Sequence, residues 1–108
     1  MFIKNSEINL EVMGDGVSRK ILATGGSLMM VEVSFEKGAI GALHTHEHEQ
    51  VGYVIKGSFE FEINGEKQII KQGDSVYFAP NVPHGVMALE DSVILDIFTP
   101  QREDFLKK

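Results

Sequence analysis

All four histidines fall in two short segments: His44, His46 and His48 in HTHEHEQ, and His84 in PNVPHG. Neutral imidazole is the commonest protein ligand for transition metals, so the clustering points to a metal centre. Residues two apart on a strand face the same side, and His44 and His46 are therefore expected to aim at one ion. Gln50 lies four residues beyond His46, while His84 must arrive from an element distant in sequence. The chain has no cysteine, which excludes disulfides, thiolate ligands and cysteine nucleophiles. Nitrogen and oxygen must hold the metal.

The elements that position these groups read as strands. Met29, Val31, Val33 and Phe35 alternate with polar or smaller residues, and Phe59, Phe61 and Ile63 alternate with Ser58, Glu60 and Glu62. Asn64-Gly65 follows at once, a two-residue hairpin signal because both turn positions want positive φ. Further strands are predicted in VSRKILA, QVGYVIKG, EKQIIK, DSVYFA, HGVMALE and SVILDIF. Glycines and Pro80, Pro83 and Pro100 punctuate them. Only the short C-terminal tail, the last eight residues, has room to be helical. The pattern predicts an all-β fold with a closed or sandwiched antiparallel sheet.

A length of 108 residues suits one domain, 1–108. The net charge is −6, and the basic groups cluster no further than Arg19–Lys20 and Lys107–Lys108. A phosphate-backbone partner wants the opposite balance, so nucleic acid is not expected. The only two arginines, Arg19 and Arg102, are candidates for recognising an anion; the plain alternative is solvated surface charge. The N-terminal stretch MFIKNSEINLEVMGDG has no apolar run of signal-peptide or membrane-spanning length. No membrane and a cytoplasmic location are the expectation.

The spacing resembles the two motifs of the cupin family. The first runs Gly38, AIGAL, His44-Thr45-His46, three residues to Gln50 and six more to Gly57; the second runs Gly73-Asp74, SVYFAPNVP, His84-Gly85. The resemblance implies a cupin (jelly-roll) β-barrel of antiparallel strands, with one divalent metal on His44, His46, Gln50 and His84. Gln50 stands where many cupins have glutamate, so the bound metal would keep one more positive charge and suit an anionic substrate. Asn81 stands where the second motif often has glycine, and asparagine tolerates a left-handed turn. Imidazole and amide ligands are compatible with Ni, Fe, Mn, Zn or Co.

The C-terminal segment LDIFTPQREDF, together with the stretch from Met30 onward, is similar to the pectin-degradation cupins of the KdgF type. That likeness implies metal-dependent ring opening of 4,5-unsaturated monouronates to linear 5-keto-4-deoxyuronate, a small-molecule sugar acid as partner, and a homodimer. It implies Asp96 as catalytic acid/base, Arg102 as catalytic and substrate-binding, and Phe98 as a substrate-binding wall. From the residues alone, Asp96 interrupts the apolar run VILDIF, where a carboxylate is costly unless paired or near a metal. Its own side also carries Ile94 and Phe98. Arg102 has a planar fork suited to a carboxylate, against a competing salt bridge to Glu103 or Asp104. His48 reads as a rim residue or outer donor, with ligation in another register as the alternative; Glu47 and Glu49 read as facing away, and Tyr53 and Tyr77 as core, the alternative being a hydroxyl presented to the cavity. The alternatives are a metal-dependent cupin dioxygenase and a non-catalytic sugar- or small-molecule-binding cupin.

Overall fold

Alternating apolar residues send one side of each strand into an interior shared by two antiparallel sheets. The structure, a computed structural model, describes residues 1–106; Lys107 and Lys108 lie outside the described residues. A 3₁₀ turn at Asn5–Glu7 precedes β1 (Glu11–Gly14), β2 (Val17–Gly25), β3 (Leu28–Phe35), β4 (Ile40–His44) and β5 (Glu49–Lys56). Then come β6 (Ser58–Ile63), β7 (Glu66–Lys71), β8 (Ser75–Phe78), β9 (His84–Ala88) and β10 (Ser92–Thr99). One sheet has the order β1-β2-β3-β10-β5-β8, the other β4-β9-β6-β7. The core between them is aromatic: Phe35 meets Phe59 edge-on at 5.2 Å, and Phe61 and Phe78 continue the stack. Among the described residues no helix is long and apolar enough to cross a membrane.

The expected closed barrel is not what forms. Among the described residues no ladder joins the two sheets, so the architecture is an open two-sheet packing with four edge strands. Apolar alternation specifies which face of a strand is buried, but it says nothing about whether the last strand meets the first. The tail is also less helical than its composition allows. It holds a single turn, α1 (Glu103–Leu106), too short to propagate as a helix by itself.

The Asn64-Gly65 hairpin joins β6 to β7 with φ of 49° and 85° at its two central residues, the left-handed pair that a tight hairpin demands. Gly57, between β5 and β6, is more constrained. Its φ is 84°, and a Cβ there would stand 2.1 Å from Ser92 Oγ and 2.7 Å from the Asp91 carbonyl oxygen. Ser92 Oγ is fixed in that place because it accepts the Ser58 N–H at 3.0 Å and donates to Glu90 O at 2.8 Å. Gly57→Ala therefore combines an unfavourable backbone with an overlap that cannot relax cheaply, a cost of about 2–5 kcal/mol. A urea denaturation midpoint unchanged from wild type would contradict this reading of the corner.

Candidate metal centre

β4 ends at His44 and β9 begins at His84, and these two residues are register partners. His46 lies beyond the strand end, in the connection to β5, so strand alternation is not what brings it to His44. The loop turns it inward instead. The ring of His84 sits 4.5 Å from that of His44 and 4.8 Å from that of His46, centroid to centroid. The ligand nitrogens of the three lie within 4.8 Å of one another. Gln50, 7% exposed at the start of β5, brings its Oε1 to 3.0 Å from His46 Nε2.

The hydrogen bonds around the rings set their tautomers. Nδ1 of His44 faces the Ala42 carbonyl at 2.7 Å, Nδ1 of His46 that of His48 at 2.9 Å, and Nδ1 of His84 that of Val82 at 3.0 Å. A carbonyl only accepts, so each Nδ1 carries the proton and each Nε2 presents a lone pair. Burial pushes the His46 and His84 imidazoles below the ordinary histidine range, which keeps them in the neutral, ligating form. With the Gln50 amide NH₂ donating toward Asp96, the His46–Gln50 approach sets two acceptors face to face, an arrangement that a cation between them would satisfy. Three imidazoles and an amide oxygen thus fit one divalent transition metal.

Beside this cluster lies a cavity of about 310 Å³, lined among others by His44, His84, Gln50, Asp96, Phe98 and Arg102. That is near the lower end of small-molecule pockets, ~300–1,000 Å³. Asp96 enters from β10, in register with Gly52 of β5 and Val31 of β3. Gly52 makes the space for it: a Cβ at that position would come within 3.1 Å of Asp96 Oδ1. Part of the residue reaches the cavity surface, yet Oδ1 is cut off from solvent and has no partner among the described residues. Burial pushes the carboxyl up to about 7, against the opposing pull of the Gln50 amide and the Arg102 charge. The same face of β10 carries Phe98, 4% exposed, whose ring meets His46 edge-on at 5.9 Å.

Arg102 follows Pro100 and reaches the cavity from α1's N-terminal side. Its Nε and Nη2 donate to the two carboxylate oxygens of Asp104, at 3.1 and 3.0 Å, which holds the Asp104 carboxyl below the usual range. Both readings of this residue are thus present at once: it lines the cavity and makes a local ion pair. His48 is outside the three-histidine group. Its Nε2 donates to the Gln101 carbonyl at 3.2 Å, pinning the strand exit that carries Arg102. Tyr53 and Tyr77 are not core residues but 49% and 52% exposed, because their side of β5 and β8 is the outer sheet face. The Tyr77 hydroxyl donates to Glu49.

One participant escaped the sequence reading. Phe105 lines the cavity and stacks against Arg102, with 4.4 Å from guanidinium carbon to ring centroid. The three-residue spacing of Arg102 and Phe105 on a helical turn was the available signal. Arg19, an anion-recognition candidate by the scarcity of arginine, reaches the same ring from β2.

Residues 31–98 match the cupin domain family. The chain is 50% identical over 104 residues to the pectin degradation protein KdgF of Dickeya dadantii (strain 3937), covering 94% of each. It is similar in structure to KdgF from Halomonas sp., with a TM-score of 0.94 and 42% identity over 97% of both chains. An RmlC-like cupin from Shewanella frigidimarina superposes with a TM-score of 0.93 at 36% identity, covering 96% of this chain and 94% of that one. With a metal-competent histidine cluster, a buried carboxyl and likeness along almost its whole length, the chain belongs to the cupin family and, within it, to the KdgF-type pectin degradation proteins.

Proposed function

We propose that this chain is the isomerase that opens 4,5-unsaturated monouronates, released when lyases cut pectin or alginate, to linear 5-keto-4-deoxyuronates. The observation that carries this reading is the Asp96 carboxyl, its Oδ1 cut off from solvent, beside the three-histidine cluster in a cavity sized for one sugar ring. The substrate is a cyclic hemiacetal whose C4=C5 bond is an enol ether. A divalent metal bound at the site supplies Lewis acidity for the charge that develops on oxygen during ring opening.

The residues of the chain do the rest. Asp96, poised near neutrality, takes the proton of the C1 hydroxyl as the C1–O5 bond breaks and an aldehyde forms at C1. The enolate left at C5 becomes a ketone when C4 accepts a proton, and Asp96 is placed to return the one it took. Atoms are conserved, so no oxidant or nucleotide is needed. Arg102 turns its fork from Asp104 to the substrate carboxylate and fixes the ring over Asp96. Phe98 closes one wall and keeps water from the carboxyl.

The test is to add metal-loaded protein to a 4,5-unsaturated monouronate and follow the ultraviolet band of its enol ether. Loss of the band faster than the spontaneous rate, stopped by chelator and without oxygen uptake, is the expected result. No acceleration by protein of verified metal content would overturn the reading. Oxygen consumption would move the site to dioxygenase chemistry.

A further inference from the structure

Among the described residues, Arg19 is the one cavity-lining cation to which the chemistry above gives no task. It projects from β2, where Glu11 and Val33 are its register partners, and its side chain is only 11% exposed. A guanidinium has five N–H donors, and burying it is costly unless they are met. Its one ion-pair contact among the described residues is a single approach of Nη2 to Glu11 Oε2 at 3.4 Å, long for a charge-assisted bond. Nε is buried without a partner among the described residues.

Its position is as telling as its unmet donors. The Arg19 guanidinium carbon lies 3.9 Å from the centroid of Phe105, and that of Arg102 lies 4.4 Å from the same centroid. Two like charges are thereby gathered on one ring, which is unfavourable unless anions compensate them. The carboxylates that do so, Glu11 and Asp104, are 34% and 60% exposed, and neither lines the cavity, whereas both arginines do. Each arginine thus meets its protein partner outside the cavity and offers its inner side to whatever fills it.

We infer that Arg19 is a second carboxylate-recognising residue, which with Arg102 and the intervening Phe105 forms a two-arginine clamp for the acid group of a uronate. The inference rests on the sugar-acid reading of the cavity and extends it: specificity for an acid over a neutral sugar is set from β2 as well as from the tail. Glu11 holds Arg19 in place while the cavity is empty of ligand, and the incoming carboxylate replaces part of that pairing.

The experiment uses metal-loaded, full-length protein and a matched pair of saturated sugars that need no turnover, galacturonate and galactose, titrated by calorimetry. Arg19→Gln is expected to weaken galacturonate binding about tenfold or more, the scale of one charge-assisted contact, and to change galactose binding less than about twofold. Arg19→Lys, which keeps charge and stem, should recover part of the acid affinity but not all, because it lacks the fork. With the unsaturated monouronate, Arg19→Gln should raise KM and leave kcat within about threefold. Unchanged galacturonate binding, or equal weakening for acid and neutral sugar, would overturn the clamp. If Arg19→Gln fails to fold, the same acid-against-neutral comparison on Arg19→Lys decides. Arg19-dependent binding of galacturonate by a wild-type protein that does not turn over the unsaturated sugar would sink the ring-opening reading and leave the clamp standing.

Discussion

Asp96→Asn is expected to lower kcat by about 10²–10⁴-fold, the usual share of positioned acid–base catalysis, with metal content at the wild-type level. The amide keeps the shape of the carboxyl and its place against Gln50 but cannot exchange a proton. The same change should make the metal-free protein more stable at neutral pH. Burial pushes the Asp96 carboxyl of the folded chain up to about 7, from an ordinary aspartate value of 3.8. The folded state therefore binds the proton more tightly than the unfolded chain. The stability this gives is fully present below about pH 4 and is lost as pH rises, until the folded carboxyl too has ionised above about 7. At ~1.4 kcal/mol per unit the loss is on the order of 4 kcal/mol. Denaturation of the chelated wild type from pH 4 to 8 should show this decline, and Asp96→Asn should flatten it. Unchanged kcat would remove Asp96 from the chemistry; an unchanged pH slope would show that its carboxyl ionises freely.

Loss of a ligand should act on a different observable. His44 sits exposed at a strand end, so His44→Ala removes an imidazole without opening a cavity in the core. Bound metal per chain should fall, and turnover of the unsaturated uronate with it, by roughly 10³-fold or more if Lewis acidity supplies several kcal/mol. Metal analysis and initial rates on the same preparation check this together. Full turnover by protein shown to be metal-free would exclude a metal from the reaction. Asp96→Asn and His44→Ala thus separate two parts of one site: the first keeps the metal and loses the proton transfer, the second loses the metal and keeps the acid.

Much of this was legible before folding because the strands that build the site alternate cleanly. Ile94, Asp96 and Phe98 announce a shared inner face, and the Asn64-Gly65 turn declares its own hairpin. β4 was missed because IGALH offers no alternation, and β1 because Val12 and Met13 are both exposed and so mark no buried face. The approach of His46 to His44 was expected for a reason the fold does not use, since a loop rather than a strand directs it. Arg19 and Phe105 could not be paired from sequence at all. Their contact depends on where β2 lies relative to the tail, and no local pattern encodes that. Sheet closure was illegible for a related reason, being a matter of strand number and stagger rather than of which residues are apolar.

Openness has its own consequence. Two unclosed sheets leave four strands, β1, β8, β4 and β7, each with a row of unpaired backbone groups that could template the addition of a foreign strand. Each of the four is blunted in a different manner. β1 is four residues long and its register slips between Val12 and Gly14. β8 is equally short and is followed by Pro80, which has no N–H to offer. The ladder of β4 is broken between Gly41 and His44, on the way to the histidine cluster. β7 carries Glu66, Lys67 and Lys71, charges that a neighbouring copy would have to desolvate. The irregular backbone that brings His44 to the histidine cluster thereby also breaks an edge that a foreign strand could otherwise extend.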